Sequence, residues 1–398
     1  MRRAECRTSL PCGSMATSLR LCVARSGVLS VWSVAALSFV GLLAFLVLDL
    51  WLLSGLMQQA RNCCESAAIA AAHKWLADDL LRSSYQQFQV DGRQAACTEA
   101  ALDQADWYSE RSQLPPLNEA DVEYIWRDNS ADAASFPVPS AVRVRHPMAD
   151  GRIYRRPGSL LNVSECSAAA TVSLENRPVS FRPAPGQTLP MLPFSICDDP
   201  GAAGSGWWTS QIEQRGGSDE VSWNSELRIF EQGPDGIPEI LVQLTTDPAG
   251  GPDELALLDF SGGDQAAARS LKRQIEEGLR SADLEVLGLK ELFLPMVFPA
   301  LQPQAEQLAE VQAELAAGRV EPSLLMLCSR LASTGISLQR AVAVRVVDAV
   351  QSDAQTVRLR FQPCVMVTAL AVTGSPETPE NRYVYSVRVT DSKGLSAV

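Results

Sequence analysis

The feature that most constrains the fold of this chain is a charge-free apolar segment near its N-terminus. Residues 26–48 contain no acidic or basic side chain and are rich in Leu, Val, Ala and Phe. About 20 apolar residues are enough to cross the hydrocarbon core of a bilayer. Because no later segment is comparably long and apolar, the sequence predicts a protein that crosses the membrane once.

The charges on either side of this segment predict its orientation. The first 25 residues hold five arginines and one glutamate, a charge of +4, whereas the whole chain carries −12. Basic residues favour the cytoplasmic side of a span, so we expect a cytoplasmic N-terminus (1–26) and an extracytoplasmic bulk. That bulk must carry −16 and has no electrostatic attraction for polyanions, so we expect no nucleic-acid partner.

Retention of the span is predicted over its cleavage. The apolar run exceeds the roughly 7–15 residues of a signal-peptide core, and no Ala-x-Ala site follows it. The segment therefore fits a signal-anchor. Met1 and Met15 are both candidate start residues, and the sequence leaves that choice open.

The helix of the span is predicted to continue beyond the membrane. No proline occurs between Ser26 and Pro115, and Gly55 weakens a helix by only about 1 kcal/mol. The pattern therefore predicts one helix of about 50 residues. We assign 27–56 to the transmembrane anchor and 57–114 to an extracytoplasmic helical stalk. The residues of one helix-packing face recur every three or four positions: Asp49, Leu53, Leu56, Ala60, Cys64, Ala67 and Ala71.

Two alternatives remain open for this face. Small residues allow another backbone to approach closely, and that backbone can belong to the chain's own ectodomain or to another subunit. Asp49 also has three interpretations. It lies at the outer interface, where a carboxylate reaches water, it pairs with a partner inside the membrane, or its position is an accident of the sequence.

The rest of the chain is predicted to be α+β and rich in strands. Short alternating or β-branched runs are bounded by Gly, Pro, Asn and Asp, which is typical of strands and turns. Two helical patterns interrupt them, one containing Leu271 and Ile275, the other Leu308 and Val311. We expect a β-rich lobe over 115–288, a helical connection over 289–319 and a C-terminal antiparallel β lobe over 320–398.

Residues for catalysis are scarce. The chain has two histidines, His73 and His146, which we interpret as surface residues, and it lacks nucleophile, phosphate-loop and zinc motifs. We predict no enzymatic activity, no cofactor and no metal. Cysteines are numerous, and an oxidising compartment favours disulfides, the alternative being buried free thiols. The candidates, with pairing left open, are Cys97, Cys166, Cys197, Cys328 and Cys364.

The N-terminal segment, about 27–75, resembles TadE/TadG-like proteins of the bacterial tight-adherence (Flp pilus) assembly system. The likeness rests on the order of its features, which are Gly27, an apolar span to Leu48, Asp49 with Trp51, Met57-Gln58-Gln59, and the alanine-rich Ala67 to Ala72. Prepilin-like members carry a glutamate shortly after the glycine, where this chain has Ser30-Val31-Trp32. TadG-like anchoring therefore fits better than a processed pseudopilin.

The resemblance implies a non-enzymatic, membrane-anchored structural component of a Tad/Flp pilus assembly or secretion system. It implies a place in the bacterial inner (cytoplasmic) membrane, with other pilus-assembly or envelope proteins as partners and with self-association as a further expectation. The alternative is a membrane-tethered extracytoplasmic binding or adhesion protein that works independently of a pilus.

Overall fold

A computed structural model describes residues 26–82, 87–112, 114–126, 137–147, 167–199, 206–247, 253–260, 267–316, 318–330 and 335–393. The helix α1 covers Ser26–Trp75 without interruption, which confirms the predicted helix of about 50 residues. Its N-terminal half is apolar and largely exposed, and α1 is the one described helix long and apolar enough to cross a membrane. The remainder is β-rich with further helices, as the sequence predicted.

The C-terminal half of α1 belongs to a folded unit that we term the helical lobe. The helix α2 (Gln87–Ser112) packs against it, and α1 lies on a five-stranded sheet ordered β1-β2-β3-β19-β17. The strands of this sheet are β1 (Val122–Ile125), β2 (Ala141–Pro147), β3 (Ser167–Glu175), β17 (Met366–Val367) and β19 (Val384–Lys393). Because β19 pairs with β3 across more than 200 residues of sequence, the N- and C-terminal parts of the chain complete one lobe together.

The described residues of 178–363, together with β18 (Ala371–Thr373), form a second unit, the inserted lobe, with its own hydrophobic core. Its main sheet contains β6 (Met191–Cys197), β9 (Ile240–Thr245), β10 (Leu255–Leu258), β13 (Met296–Leu301), β14 (Arg319–Arg330), β15 (Gly335–Asp353) and β16 (Thr356–Pro363). The order is β13-β10-β6-β14-β15-β16-β9, and β13 also pairs with the start of β15. The five strands β13, β10, β6, β14 and β15 therefore form a closed ring. This ring leaves few strand edges exposed.

Helices and short strands complete the inserted lobe. The helices are α3 (Ala267–Glu277), α4 (Ser281–Val286) and α5 (Ala305–Leu315). The short strands are β4 (Pro178–Phe181), β5 (Thr188–Leu189), β7 (Val221–Asn224), β8 (Ile229–Gln232), β11 (Leu279–Arg280), β12 (Leu292–Phe293) and β18 (Ala371–Thr373). The apolar faces predicted for α3 and α5 are buried in the core. Gly278, with φ +86°, ends α3 in a conformation that suits glycine.

The structure divides the ectodomain differently from the sequence-based prediction. Segments 115–288 and 320–398 are not separate lobes, because β14 and β16 pair with β6 and β9 in one sheet. The connection 289–319 contains β12 and β13 besides α5. The C-terminal part is not purely antiparallel, since β14 pairs parallel with β6. Segment 57–114 is packed into a lobe and does not project as a stalk. A strand's pattern shows which face is buried but not which strand it pairs with, and this is why the boundaries differ.

Candidate functional site

The helix-packing face of α1 is the first candidate site, and the structure places it in two environments. Ala60, Cys64, Ala67 and Ala71 are fully buried against α2 and the sheet of the helical lobe. Leu53 and Leu56 are half-buried at the edge of that core, and Asp49 lies beyond it towards the apolar half. The sequence left open whether this face packs on the chain's own ectodomain or on another subunit. In the single chain it packs on its own ectodomain.

Close approach explains the small residues on this face. The Cys64 thiol donates to the carbonyl oxygen of Ala168 on β3, at 3.7 Å, and the Cys63 thiol donates to that of Ala105 on α2, at 3.9 Å. Longer side chains at these positions would hold the backbones apart. Burial raises the pKa of Cys63 to about 11 and that of Cys64 to about 12, so both thiols stay protonated and act as packing groups.

The C-terminal end of α1 is connected to the inserted lobe by a partly buried ion pair. The helical turn Asp78–Leu81 follows the helix, and the Asp78 carboxylate accepts hydrogen bonds from the Arg345 guanidinium and, at 2.7 Å, from the Val365 N–H. Arg345 also donates to the Val320 carbonyl at 3.0 Å and lies 4.5 Å above the Trp223 ring. One arginine therefore joins the end of the helix to three parts of the chain.

Sequence reasoning missed this connection, although a signal was present. Arg345 is the one charge in the apolar run Ala341 to Val347 of β15, and a buried charge in such a strand needs a partner. The partner itself, Asp78, lies in a polar segment that looks like an ordinary helix end. Nothing local connects the two residues.

The candidate disulfide cysteines fall into two groups. Cys97 and Cys364 are buried at separate places, in the helical lobe and beside Arg345, and no other described cysteine stands opposite them in a strand pair. Cys197 and Cys328 lie directly opposite each other on the parallel strands β6 and β14. All four are free thiols in this structure, and Cys166 lies outside the described residues.

A cavity of about 580 Å³ adjoins the second pair. At its wall the Arg340 guanidinium contacts the carboxylates of Glu213, at 2.8 Å, and Asp198, at 3.5 Å. Asp198 also accepts the Thr209 N–H at 3.1 Å, which fixes the chain after β6. The residues that line the cavity include Pro178, Leu294, Pro295, Cys328, Arg340 and Asn381. The cavity thus combines apolar walls with polar and charged side chains, a mixture found in binding pockets.

The two histidines differ in environment. His73 is exposed, as predicted, whereas the interpretation of His146 as a surface residue was wrong. His146 lies in the core, its Nε2 is 2.9 Å from the Pro115 carbonyl oxygen, and its Nδ1 has no hydrogen-bond partner among the described residues. Burial lowers its pKa. The alternation of β2 turns this side chain towards α1, which its polar neighbours Arg145 and Pro147 did not reveal.

Among the described residues, no group of three or more His, Cys, Asp or Glu side chains is arranged to hold a metal ion. The acidic residues near Glu239 instead organise a turn, where the Glu239 carboxylate accepts the backbone N–H groups of Glu220 and Val221, both at 3.0 Å. Comparisons with protein-family models, with curated proteins and with solved structures find no match to this chain.

Proposed function

We propose that this protein is a non-enzymatic, membrane-anchored structural component of a bacterial envelope assembly of the Tad/Flp pilus or secretion type. In this proposal it lies in the inner (cytoplasmic) membrane with the N-terminus inside and both lobes outside. The family assignment rests on the TadE/TadG-like features from Gly27 to Ala72. The architecture of α1 supports the structural role independently of that resemblance.

The observation that carries the proposal is the continuity of α1 from its apolar half into the helical lobe. The helix has no break between Ser26 and Trp75, and its burial begins at Met57. A protein that merely tethers a domain needs only a flexible linker, which lets the domain rotate freely. A continuous helix fixes the orientation of both lobes relative to the membrane, and a fixed orientation is what an assembly component needs.

The alternative is a membrane-tethered binding or adhesion protein that works without a pilus. The cavity of about 580 Å³ in the inserted lobe favours it, since its size suits a small ligand or a short peptide. The two functions can be distinguished by whether the protein needs a rigid α1. A tethered binding domain keeps its affinity for its ligand when the anchor is made flexible. An assembly component loses its fixed position relative to the other proteins of the assembly.

The experiment inserts four residues between Ser54 and Gly55, with a matched pair of sequences. Four alanines keep the helix continuous and add a rise of about 6 Å, whereas four glycines break it. We expect co-isolation with the other pilus-assembly proteins to be lost with the glycines and kept with the alanines, at equal abundance in the membrane. Equal behaviour of the two insertions contradicts a structural role for the rigid helix.

Topology is tested separately on the unmodified chain. Protease added to spheroplasts should digest both lobes and leave a short membrane-embedded fragment. The mature protein should retain the residues before the span. A mature N-terminus at Val28 would mean that the anchor is processed as in a pseudopilin.

A further inference from the structure

The thiols of Cys197 and Cys328 are placed as partners although 130 residues separate them in sequence. Cys197 is the last residue of β6 and Cys328 lies in β14, and the register pairs them directly, after Ser195 with Met326 and Ile196 with Leu327. Residues paired in neighbouring strands present their side chains on the same face of the sheet. The two thiols are also close enough for each to shift the pKa of the other.

The distance between the strands suits a covalent bond. Neighbouring strands lie about 4.7–4.9 Å apart, within the Cα separations of about 4.4–6.8 Å that disulfides span. The backbone is also held just after the pair. The Asp198 N–H donates to the Cys328 carbonyl oxygen at 2.9 Å, and the Arg330 N–H donates to the Asp199 carboxylate at 2.9 Å. The two sulfur atoms can therefore form a bond without any movement of the strands.

The surroundings distinguish the two sulfur atoms chemically. Cys197 is 8% exposed and its thiol donates to the Asp199 carboxylate at 3.3 Å, whereas Cys328 is 1% exposed and lines the cavity. The hydrogen bond from Cys328 lowers the pKa of Cys197, and the same contact together with burial raises the pKa of Cys328. Cys197 is accordingly the more readily ionised sulfur and the one that meets an oxidant first.

We propose that Cys197 and Cys328 form an intrachain disulfide between β6 and β14, a bond that fastens the ring of strands in the inserted lobe. The proposal rests on the proposed function for one point, the exposure of this lobe to an oxidising compartment. The pairing itself rests only on the strand register. Cys63, Cys64, Cys97 and Cys364 remain free thiols.

The oxidant is a disulfide, either of a small molecule such as oxidised glutathione or of a thiol–disulfide oxidoreductase. The Cys197 thiolate attacks one sulfur of the oxidant and releases the other as a thiol, which leaves a mixed disulfide. The Cys328 sulfur then attacks the Cys197 sulfur and releases the second thiol. Two electrons pass from the cysteine pair to the oxidant, and the two thiol protons end on the two released thiols.

The test uses the full chain in detergent micelles, treated with oxidised glutathione or left reduced. Remaining thiols are blocked with a maleimide after denaturation, and the protein is digested and examined by mass spectrometry. We expect two fewer blocked thiols after oxidation and a linked peptide that joins Cys197 to Cys328. Oxidation should also raise the urea midpoint of unfolding, and dithiothreitol should reverse the rise.

Two single variants and one control sharpen the test. Cys197→Ser and Cys328→Ser should each abolish the linked peptide and the redox dependence of the midpoint, while Cys63→Ser should keep both. The mass spectrum of the unaltered protein decides the question even if a variant folds poorly. Blocking of both Cys197 and Cys328 after oxidation, or linkage of either to another cysteine, overturns the pairing. Protein that oxidises in micelles but is isolated reduced from cells keeps the pairing and contradicts the proposed compartment.

Discussion

Residues 26–56 and 57–75 belong to one helix, α1, but meet different surroundings. In the first part large apolar side chains point in every direction and are exposed, for example Leu37, Phe45 and Trp51. In the second part the buried residues recur on one side and are mostly Ala and Cys, while Gln58 and Gln59 on the other side are exposed. The change occurs within about one turn, near Leu56 and Met57.

This difference shows that the size of the residues on a helix, and not only their hydropathy, indicates what the helix packs against. Lipid tails conform to any apolar surface, so large residues on all sides are tolerated. A folded protein interior is rigid and close-packed, so only small residues fit where α2 and β3 approach α1. The alanine-rich part of the sequence therefore marks where the anchor ends and the helical lobe begins.

The largest effect should come from removing an aromatic ring in the buried part of α1. Trp75 is 0% exposed, and its ring lies 5.4 Å from that of Tyr124 and 5.5 Å from that of Trp126. Trp75→Ala should lower the free energy of unfolding of the helical lobe by about 3–5 kcal/mol. Trp51, which is 71% exposed, is the matched control, and Trp51→Ala should leave this free energy within about 0.5 kcal/mol.

Urea unfolding of the full chain in micelles, followed by circular dichroism, measures both variants. Equal losses in the two would show that the anchor part also packs against protein. No loss in Trp75→Ala would remove that residue from the core of the helical lobe.

Enlarging an alanine should have an intermediate effect and again distinguish the two parts of α1. Ala71 is fully buried, so Ala71→Leu should lower the free energy of unfolding by about 1–3 kcal/mol through overpacking. Ala36 lies in the exposed apolar part, and Ala36→Leu should be neutral. Helix propensity cannot cause the loss, because Ala and Leu are both good helix formers. Tolerance of leucine at position 71 would contradict the close packing of α1 on the sheet.

A smaller effect should appear in the pH dependence of stability. His146 lies in the core beneath α1, and burial lowers its pKa below the ordinary 6.5, although Pro115 and Asp121 act in the opposite direction. The unfolded chain therefore binds a proton near pH 6.5 that the folded chain still excludes. The stability that this neutral imidazole contributes is fully present above pH 6.5 and decreases as the pH falls towards the lowered pKa, by about 1.4 kcal/mol per pH unit.

The His146→Gln variant provides the comparison for that prediction. It keeps a donor for the Pro115 carbonyl oxygen but does not titrate, so its stability should vary less between pH 6.5 and 5.5 than that of the unaltered chain. If stability varies with pH as steeply in His146→Gln as in the unaltered chain, the pH dependence arises from other groups. His73 is exposed, and His73→Ala should change stability by less than about 0.5 kcal/mol.

Periodic features of the sequence predicted the local structure well. The extent of α1 followed from an unbroken pattern without proline, and the apolar face of α5 followed from Leu308 and Val311. The strands β6 and β14 were not predicted, because residues such as Met191 to Ile196 are buried on both faces, and a strand of this kind does not alternate.

The features that depend on contacts between distant parts of the chain could not be predicted from the sequence. The proximity of Cys197 to Cys328 requires the register of β6 against β14, and the ion pair of Asp78 with Arg345 requires the position of the inserted lobe. Both follow from contacts between residues far apart in the chain, and no local pattern encodes such contacts.

Hydrogen–deuterium exchange of the full chain in lipid nanodiscs tests the continuity of α1 most directly. A helix that runs from lipid into the helical lobe keeps its backbone N–H groups hydrogen-bonded across the junction. The account predicts slow exchange for every amide from Val40 to Trp75, with no gap at Ser54 to Gln58. Fast exchange confined to Ser54 to Gln58, between two protected segments, would show a flexible tether and contradict the account.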